Sequence, residues 1–392
     1  MAPAADAPFL LLVETGATDR ASERALLFTA PRRVIACQAP NEVAGCLSEA
    51  DAALRSGSHV AGFLAYEAGY GLHPKLAPLA RQPLTEHVLW LAVCDAPREL
   101  VGQQLSDFLS QCARQPEARV TGLRIDLQRE RYHSDFERIQ AYLRAGDTYQ
   151  VCHSLRASFR VDGDAVALFQ RLRRQQPTSY SALIDTGQYS ILSLSPELFF
   201  RRSGSEVRLE PMKGTAAAGR GEAEDAALAQ ALRQDLKTRA ENVMIVDLLR
   251  SDIGRLARPG SVRVPELFSV KRYGAVLQMT STITAELEPG LGLRELMQAL
   301  FPSGSVTGAP KLRTMQIIAE LEQSPRGIFC GSIGYAAPNG DACFNVAIRT
   351  LCVDRQGGGR LGVGSGVVVD SASDAEYDEC LLKARFVTAA LG

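Results

Sequence analysis

The first hundred residues alternate short apolar runs with one amphipathic stretch. The unbroken apolar run FLLLVE at residues 9–14 predicts a buried strand. Similar runs at residues 60–66 and 89–93 predict two more strands, and glycines at positions 69 and 71 close the first of these with a turn. Helical spacing of the apolar residues at 44–55 predicts a helix between the first two strands.

The rest of the chain groups β segments between longer helices. The helical patterns lie at residues 132–145, 222–249 (most amphipathic over 235–250), 312–322 and 374–390. The β-rich patterns lie at residues 149–161, 180–185, 189–193, 198–202, 328–335, 343–353 and 361–369. A polar stretch at residues 111–129 predicts a linker or long connection between an N-terminal region, 1–120, and a larger C-terminal region, 125–392. This grouping favours an α+β fold over a doubly wound sheet.

Composition and charge exclude several classes of function. A net charge of −1, with 46% apolar and 22% charged residues, gives no general attraction for nucleic acid or for a membrane surface. No apolar stretch approaches the roughly 18 residues that span a bilayer, and the N-terminus lacks the positive charge of a signal peptide. The nine cysteines form no C-x-x-C pair, and the five histidines are dispersed. We therefore expect a reduced, cytoplasmic protein without a zinc site.

Carboxylates on two predicted helices could bind a metal. Glu376, Glu379 and Lys383 share one face of the last helix because they are three and four residues apart. Glu241 lies in RAEN, ahead of MIVDLLR. Two carboxylates suit an octahedral Mg²⁺ site that water and an anionic substrate complete. The alternative is a solvated helix end whose acids complement the helix dipole.

Two glycine-rich strings and one lysine are further candidates. The string FPSGSVTGAPK (residues 301–311) and the string GVGSG (residues 362–366) can present backbone N–H groups to a carboxylate, although each is also compatible with an ordinary turn. Neither string is a nucleotide-binding P-loop. Lys213 lies in PMKGT. It is either a surface residue or, where desolvated or near other cations, a nucleophile.

Taken together, the motifs resemble those of the chorismate-utilising enzyme family. The strings that carry the resemblance follow the family's order over roughly residues 131–390: AGDTYQVCHSLR, SLSPELFF, PMKGT, RAENVMIVDLLRSDIGRL, FPSGSVTGAPKLRTMQIIAELE, GIFCGSIGY, FNVAIRTL and DAEYDECLLKAR. FLLLVET and AGFLAYEAGY resemble the N-terminal part. The resemblance implies large, mostly antiparallel sheets stacked between outer helices, as in anthranilate synthase component I, with chorismate bound in the C-terminal region.

The resemblance also assigns roles to the candidate residues. Glu241 and Glu379 would ligate Mg²⁺, with Glu376 close by or bound through water, and the ion would assist departure of the C4 hydroxyl. Tyr335 and Arg349 match positions that bind the enolpyruvyl carboxylate. The remaining substrate-binding positions are Thr307, Gly364 and Gly366 in the carboxylate-binding turns and Lys383, which would neutralise the acidic cluster.

Two positions indicate a branch of the family. Isochorismate-forming members carry a lysine base where this chain has Gln150, and an amide cannot activate water. Lys213 matches the branch that makes 4-amino-4-deoxychorismate, whereas the anthranilate-forming branch has alanine there. In that branch the lysine is thought to attack C2 as the C4 hydroxyl leaves, and ammonia then adds at C4 and expels the lysine. Gln278 departs from the pattern because many relatives have histidine there as a general acid.

The resemblance further implies partners and a pathway. Since the chain contains no glutaminase motif, we expect ammonia from a separate glutaminase subunit or free ammonium, and a further enzyme that yields p-aminobenzoate for folate synthesis. Two alternatives stay open, an anthranilate synthase large subunit and a weakly catalytic chorismate-binding subunit. The segment around Glu14 and Thr15 resembles the lining of a tryptophan pocket in relatives.

Overall fold

The computed structural model describes residues 7–15, 23–80, 84–273 and 276–388. Two ten-stranded sheets with antiparallel pairing make up its centre. In spatial order the first sheet contains β16 (Gly308–Ala309), β8 (Gln150–Gly163), β20 (Gly358–Val367), β19 (Thr350–Asp354), β10 (Tyr189–Ser195), β9 (Tyr180–Asp185), β1 (Phe9–Glu14), β2 (Arg24–Thr29) and β6 (Arg98–Val101), with β7 (Ala118–Ile125) beside β8. The second contains β13 (Met212–Ala217), β15 (Val276–Glu286), β12 (Glu206–Glu210), β11 (Leu198–Ser203), β18 (Ala342–Val346), β17 (Ser332–Ala336), β4 (His59–Leu64), β5 (Leu89–Cys94) and β3 (Arg33–Cys37), with β14 (Arg263–Tyr273) beside β15.

Helices flank the two sheets. They are α1 (Val43–Arg55), α2 (Ala68–Leu72), α3 (Gln103–Cys112), α4 (Arg129–Ala145), α5 (Ala165–Gln175), α6 (Glu222–Gln234), α7 (Leu236–Gly254), α8 (Leu293–Leu300), α9 (Lys311–Leu321) and α10 (Ser373–Thr388). Helix α5 packs against β7–β10, α10 packs against β20, and α1 packs against β3–β5. The predicted α+β fold with antiparallel sheets is therefore confirmed. No helix in these ranges is long and apolar enough to cross a membrane.

Strand β1 shows how the apolar pattern builds the layers. Leu10 and Leu12 pack between the sheets with Phe63 and Trp90 of the second sheet. Phe9 points the other way, and its ring meets Phe108 of α3 edge to face at 6.0 Å. Successive side chains of a strand point to opposite faces, so a strand covered on both faces needs an unbroken apolar run.

Three sequence-based assignments were wrong. Residues 111–129 are not a linker, because β7 pairs with β8 there and α4 begins at Arg129. The single helix at 222–249 is two helices, since Asp235 is extended and its side chain caps α7 by accepting from the N–H of Thr238. The strand at 343–353 is β18 in one sheet and β19 in the other, joined by residues 347–349.

Other boundaries moved by a few residues. Strand β17 begins at Ser332 because residues 328–331 form a turn in which Cys330 has φ +64°. The predicted C-terminal helix is observed as α10, and its last two predicted residues, 389 and 390, lie outside the described ranges. The division into residues 1–120 and 125–392 stays a prediction, and strands from both regions pair with each other, as β1 does with β9.

Candidate active site

A cleft forms where one end of the first sheet faces one end of the second. Strands β8 and β20 contribute from the first sheet and β13 from the second. A methyl group placed on Gly366 of β20 would lie 3.5 Å from the Lys213 Nζ and 3.5 Å from the Gln150 Oε1. Lys213 also donates to the carbonyl of Ser305 at 3.4 Å. The structure thus brings together Lys213, Gln150 and Gly366, and a side chain at position 366 would fill the space between them.

The turn ahead of α9 lies against this cleft and is held by its own hydroxyl groups. Thr307 is buried and donates to the carbonyl of Ser303 at 2.9 Å, while its own carbonyl accepts from the N–H of Cys152 at 2.8 Å. Gly308 has φ +150°, and a Cβ there would collide with the carbonyl of Gln150. Only glycine therefore allows this turn to pair with β8.

A buried arginine fastens the same turn to β8 from behind. Arg326 donates to the carbonyls of Val306 at 2.9 Å and Cys152 at 2.7 Å. Glu322 accepts from Arg326 at 2.7 Å and from Arg156 at 2.8 Å. Both cations lower the pKa of Glu322 well below its usual range, although burial alone would raise it. This network fixes the turn without using any group that faces the cleft.

Glu197 is a site residue that the sequence reasoning missed. It lies in SLSPELFF, directly before β11, and it is buried. Burial raises the pKa of Glu197 to about 7, against the opposing effects of a hydrogen bond from Ser305, the charge of Lys213 and the N–H of Met212. A carboxyl group with this pKa holds and releases a proton near neutral pH. A lone acid within an apolar motif was the available signal.

Two glutamines near Lys213 have buried polar atoms without hydrogen-bond partners in the described structure. Gln150 is fully buried, and neither its amide oxygen nor its amide nitrogen has a hydrogen-bond partner. Gln278 on β15 donates to the Thr215 hydroxyl at 3.4 Å, and its amide oxygen has no partner. Buried polar groups are normally satisfied, so these atoms point to a ligand or to water in the cleft.

The predicted acidic residues share one electrostatic environment. Burial raises the pKa of Glu241 on α7, Glu376 and Glu379 raise it further, and Lys213 opposes them. Glu376 is buried and accepts from the Ser371 hydroxyl at 2.7 Å. Glu379 pairs with Lys383 at 2.6 Å, and Lys383 also donates to the Gly364 carbonyl at 2.8 Å. A cation near these like charges would relieve their repulsion.

The same acids do not form a closed metal site. Among the described residues, no group of three His, Cys, Asp or Glu side chains is placed to hold a metal ion. Mg²⁺ usually keeps several waters and takes one or two carboxylates together with substrate oxygens. Glu241 and Glu379 have the ligand chemistry that such an open site uses, and their role as ligands stays a prediction.

Arg349 and Tyr335 have different surroundings. Arg349 precedes β19, the neighbour of β20, and has φ +50°. Burial lowers the pKa of Arg349, and no carboxylate in the described part of the chain offsets that burial. Tyr335 is not brought to Lys213. It lines a separate cavity of about 20 Å³ between the sheets, because its position on β17 directs it toward β1 and β9.

The cavity beside Tyr335 is the region where a tryptophan pocket was considered. Glu14 lines it and pairs with Arg201 at 2.8 Å, whereas the Thr15 hydroxyl donates to Glu23 at 3.1 Å. A volume of about 20 Å³ has room for about one water molecule. Tryptophan binding here stays a prediction that would require the cavity to open.

Comparisons with known proteins identify similar sequences and a similar fold. Over 256 residues the chain is 45% identical to aminodeoxychorismate synthase component 1 of Klebsiella aerogenes, a match covering 65% of this chain and 56% of that protein. Over 259 residues it is 38% identical to anthranilate synthase component 1 of Methanothermobacter marburgensis, covering 66% and 56%. The crystal structure of anthranilate synthase component I from Streptococcus pneumoniae TIGR4 superposes with a TM-score of 0.76, covering 99% of this chain and 94% of that one at 23% identity.

These matches differ in what they establish. The structural match supports the predicted fold. The matched segments span about half the length of the curated relatives, 56% in both cases, and the two relatives carry different names. Residues 11–389 match the family described as chorismate binding enzyme, which is nearly the whole chain. The chain belongs to the chorismate binding enzyme family.

Proposed function

We propose that this chain aminates chorismate at C4 to give 4-amino-4-deoxychorismate, the precursor of p-aminobenzoate in folate synthesis. The observation that carries the proposal is the position of Lys213, beside the unpaired amide of Gln150 and the buried Glu197. This arrangement offers a nitrogen nucleophile and an acid, and it offers no base where isochorismate-forming relatives have a lysine. The name of the Klebsiella aerogenes relative supports the same branch.

Lys213 and Glu197 can share one proton through the first displacement. A lysine attacks only as the neutral amine, so its proton must move to an acceptor, and the Glu197 carboxylate is electrostatically coupled to it. The Lys213 Nζ forms a bond to C2 as the C4–O bond breaks. Protonated Glu197 donates to the departing hydroxyl, which leaves as water. This assigns to Glu197 the acid role that Gln278 cannot perform.

The second displacement regenerates the free amine of Lys213. Ammonia forms a bond to C4, the C2–N bond to Lys213 breaks, and the released amine takes up the proton that the incoming nitrogen loses. The Gln150 amide can hold ammonia or a substrate oxygen by hydrogen bonds, since it accepts and donates without being a base. Bound Mg²⁺, held by Glu241 and Glu379, would supply Lewis-acid assistance to loss of the hydroxyl.

Substrate binding and partners complete the proposal. Arg349, with no carboxylate partner among the described residues, would bind the enolpyruvyl carboxylate, and the turn at Thr307 with Gly364 and Gly366 would receive the ring carboxylate. Ammonia would come from a separate glutaminase subunit, which the designation component 1 in the relatives supports. A further enzyme would convert the product to p-aminobenzoate.

An anthranilate synthase large subunit is the second candidate. The 38% identity to the Methanothermobacter marburgensis protein favours it. Lys213 opposes it, because a C2-attacking lysine would compete with ammonia for the carbon that anthranilate formation requires. The weakly catalytic alternative rested on Gln278, and Glu197 reduces its support by offering another proton donor.

One reaction separates the candidates. The purified chain would be incubated with chorismate, Mg²⁺ and excess ammonium, and the products would be separated by chromatography. We expect a product that an added aminodeoxychorismate lyase converts to p-aminobenzoate. Lys213→Ala should abolish it, while Lys75→Ala, an exposed lysine after α2, should leave it unchanged. Anthranilate from the unaltered chain, or full activity of Lys213→Ala, would contradict the proposal.

A further inference from the structure

Three side chains from different elements bind successive carbonyl groups at the C-terminal end of α8. Arg255, directly after α7, donates to the Ala299 carbonyl at 2.7 Å. Lys311, the first residue of α9, donates to the next carbonyl, that of Leu300, at 2.6 Å. His73, directly after α2, bonds the carbonyl of the residue that follows at 3.0 Å. The last carbonyls of a helix lack partners within the helix, so these three donors satisfy them.

Lys311 closes the turn ahead of α9 with its own side chain. This turn comprises residues 301–310, and the Lys311 Nζ reaches back across it to the last residue of α8. The Lys311 side chain is 6% exposed, and it pairs with Asp252 of α7 at 2.6 Å. Asp252 also pairs with Arg255 at 2.9 Å. A buried charge is stable only with its partners in good geometry, so the pair fixes the two ends of the turn relative to α7.

The turn also packs directly on α7. A Cβ at Gly304 would lie 2.5 Å from a methyl carbon of Leu248, one helical turn before Asp252. An apolar contact and an ion pair therefore hold the turn on the same stretch of helix. Between these two contacts in the sequence, the Ser305 carbonyl accepts from the Lys213 Nζ at 3.4 Å. The position of the turn thus determines where this acceptor lies beside the lysine.

We propose that Lys311 and Asp252 are positioning residues, which hold the turn where the Ser305 carbonyl meets the Lys213 amine. Their side chains bind each other and the end of α8, so they act on the cleft through the backbone of the turn. The role of Lys213 in amination rests on the proposed function, whereas the position of its amine does not.

The alternative is that this buried pair stabilises α8 and nothing more. Cations near the C-terminal end of a helix interact favourably with the helix dipole. On that interpretation, loss of the pair would lower stability and leave the surroundings of Lys213 unchanged. The two interpretations therefore differ in how the Lys213 amine behaves when a variant remains folded.

Chemical labelling of Lys213 separates them. The double variant Lys311→Met/Asp252→Leu removes both charges, a change that buried ion pairs often tolerate, and it takes the donor from the Leu300 carbonyl. Both proteins would be treated with trace acetic anhydride at fixed pH, and acetylation of Lys213 would be compared with that of the exposed Lys75 by mass spectrometry. An acceptor carbonyl favours the protonated, unreactive amine, so Lys213 in the variant should react at least about threefold faster relative to Lys75.

The direction of the change is informative, because loss of a cation alone has the opposite effect. Lys311→Met by itself removes a positive charge, which favours the protonated form of Lys213 and slows its acetylation. This variant leaves Asp252 paired with Arg255, so it should fold even if the double variant does not. Faster acetylation of Lys213 in Lys311→Met would support the proposal. An unchanged or slower rate in the folded variants would overturn it.

A surface ion pair on the same helix provides the matched control. Asp247 and Arg250 of α7 pair at 2.7 Å and are 61% and 49% exposed. Asp247→Asn with Arg250→Gln should leave acetylation of Lys213 at the wild-type rate. Hydrogen exchange followed by mass spectrometry locates the change, since residues 301–310 should exchange faster in the Lys311 variants than in this control. Wild-type exchange in that segment would refute the proposal. Neither readout requires amination, so a failure here leaves the proposed function to its own test.

Discussion

Two spaces between the sheets contain similar kinds of polar residues and differ in how these are paired. In the cavity beside Tyr335, Glu14 pairs with Arg201 at 2.8 Å, and Asn345 bonds the N–H of Ile333 at 3.0 Å. In the cleft, the buried side-chain amide of Gln150 has no hydrogen-bond partner and Lys213 has no ion-pair partner within the described ranges. The cavity is complete as it stands, whereas the cleft has hydrogen-bonding groups available for a ligand.

The difference shows why pairing identifies a site better than residue type does. Burying a polar group without a partner costs about 1–3 kcal/mol, so a group of such atoms around one cleft favours a ligand that satisfies them. Burying a paired charge stabilises little, and it serves mainly to avoid an isolated charge. The following changes test whether this contrast separates a catalytic cleft from a structural cavity.

The largest expected effect is in the cleft, at Glu197. Glu197→Gln keeps the shape of the side chain and removes its titratable carboxyl group, so the amination rate should fall by about 10²–10⁴-fold. The proposed displacement begins with Glu197 as the carboxylate that takes a proton from Lys213, and with a pKa of about 7 this form is lost as pH falls through that value. The wild-type rate should therefore decline as pH falls through about 7, and this decline should be absent from the residual activity of the variant.

A pH–rate profile of both proteins measures this effect. Glu320→Gln, which changes an exposed glutamate of α9 paired with Arg138, is the control and should keep the wild-type profile. A Glu197→Gln enzyme with wild-type rate and profile would remove Glu197 from the proposed mechanism.

A smaller effect is expected at the acidic end of the cleft. Glu379→Gln removes one proposed Mg²⁺ ligand and should raise the half-saturating Mg²⁺ concentration at least about tenfold. Asp378→Asn is the matched control, because Asp378 lies next to it on α10 and pairs with Arg129 instead. Titration of activity with Mg²⁺ provides the measurement, and an unchanged response in Glu379→Gln would exclude it as a ligand.

The sequence was sufficient for the parts of the fold that depend on local pattern. FLLLVE predicted β1 with its observed ends because both faces of that strand are covered. The run at residues 343–353 misled because β18 and β19 are both apolar and nearly continuous in sequence. The crossing between sheets depends on the positive φ of Arg349, which no apolar pattern reveals.

The site residues also divide into those that the sequence indicated and those that it did not. Motif resemblance indicated Lys213 and Gln150, and the structure brings them to one glycine. Glu197 was overlooked because its importance comes from burial beside Lys213, a proximity that the sequence alone does not reveal. The assignment of Tyr335 to the substrate stays a prediction, and its side chain lines the cavity between the sheets. Burial of a side chain therefore carries information about the site that spacing along the sequence does not.

At Gln150 stability and activity should change in opposite directions. Gln150→Met keeps the approximate volume and removes two buried groups that have no partner, so the free energy of unfolding should rise by about 1 kcal/mol. Ammonia-dependent amination should fall, because the cleft loses a hydrogen-bonding group next to Lys213. Urea unfolding and the amination assay measure the two effects. A less stable but fully active variant would show that Gln150 serves the fold instead of the ligand.

The smallest expected effect is at Glu14 in the cavity, where stability should fall slightly and activity should stay the same. Glu14→Gln removes the partner of Arg201, but the two side chains are 31% and 35% exposed, so water weakens the pair. We therefore expect a loss of about 1 kcal/mol in the free energy of unfolding, with an unchanged amination rate. Urea unfolding and the amination assay, run beside Gln150→Met, give the full contrast. A large loss of activity in Glu14→Gln would contradict the division between a structural cavity and a catalytic cleft, since it would couple the two spaces through β17 and β18.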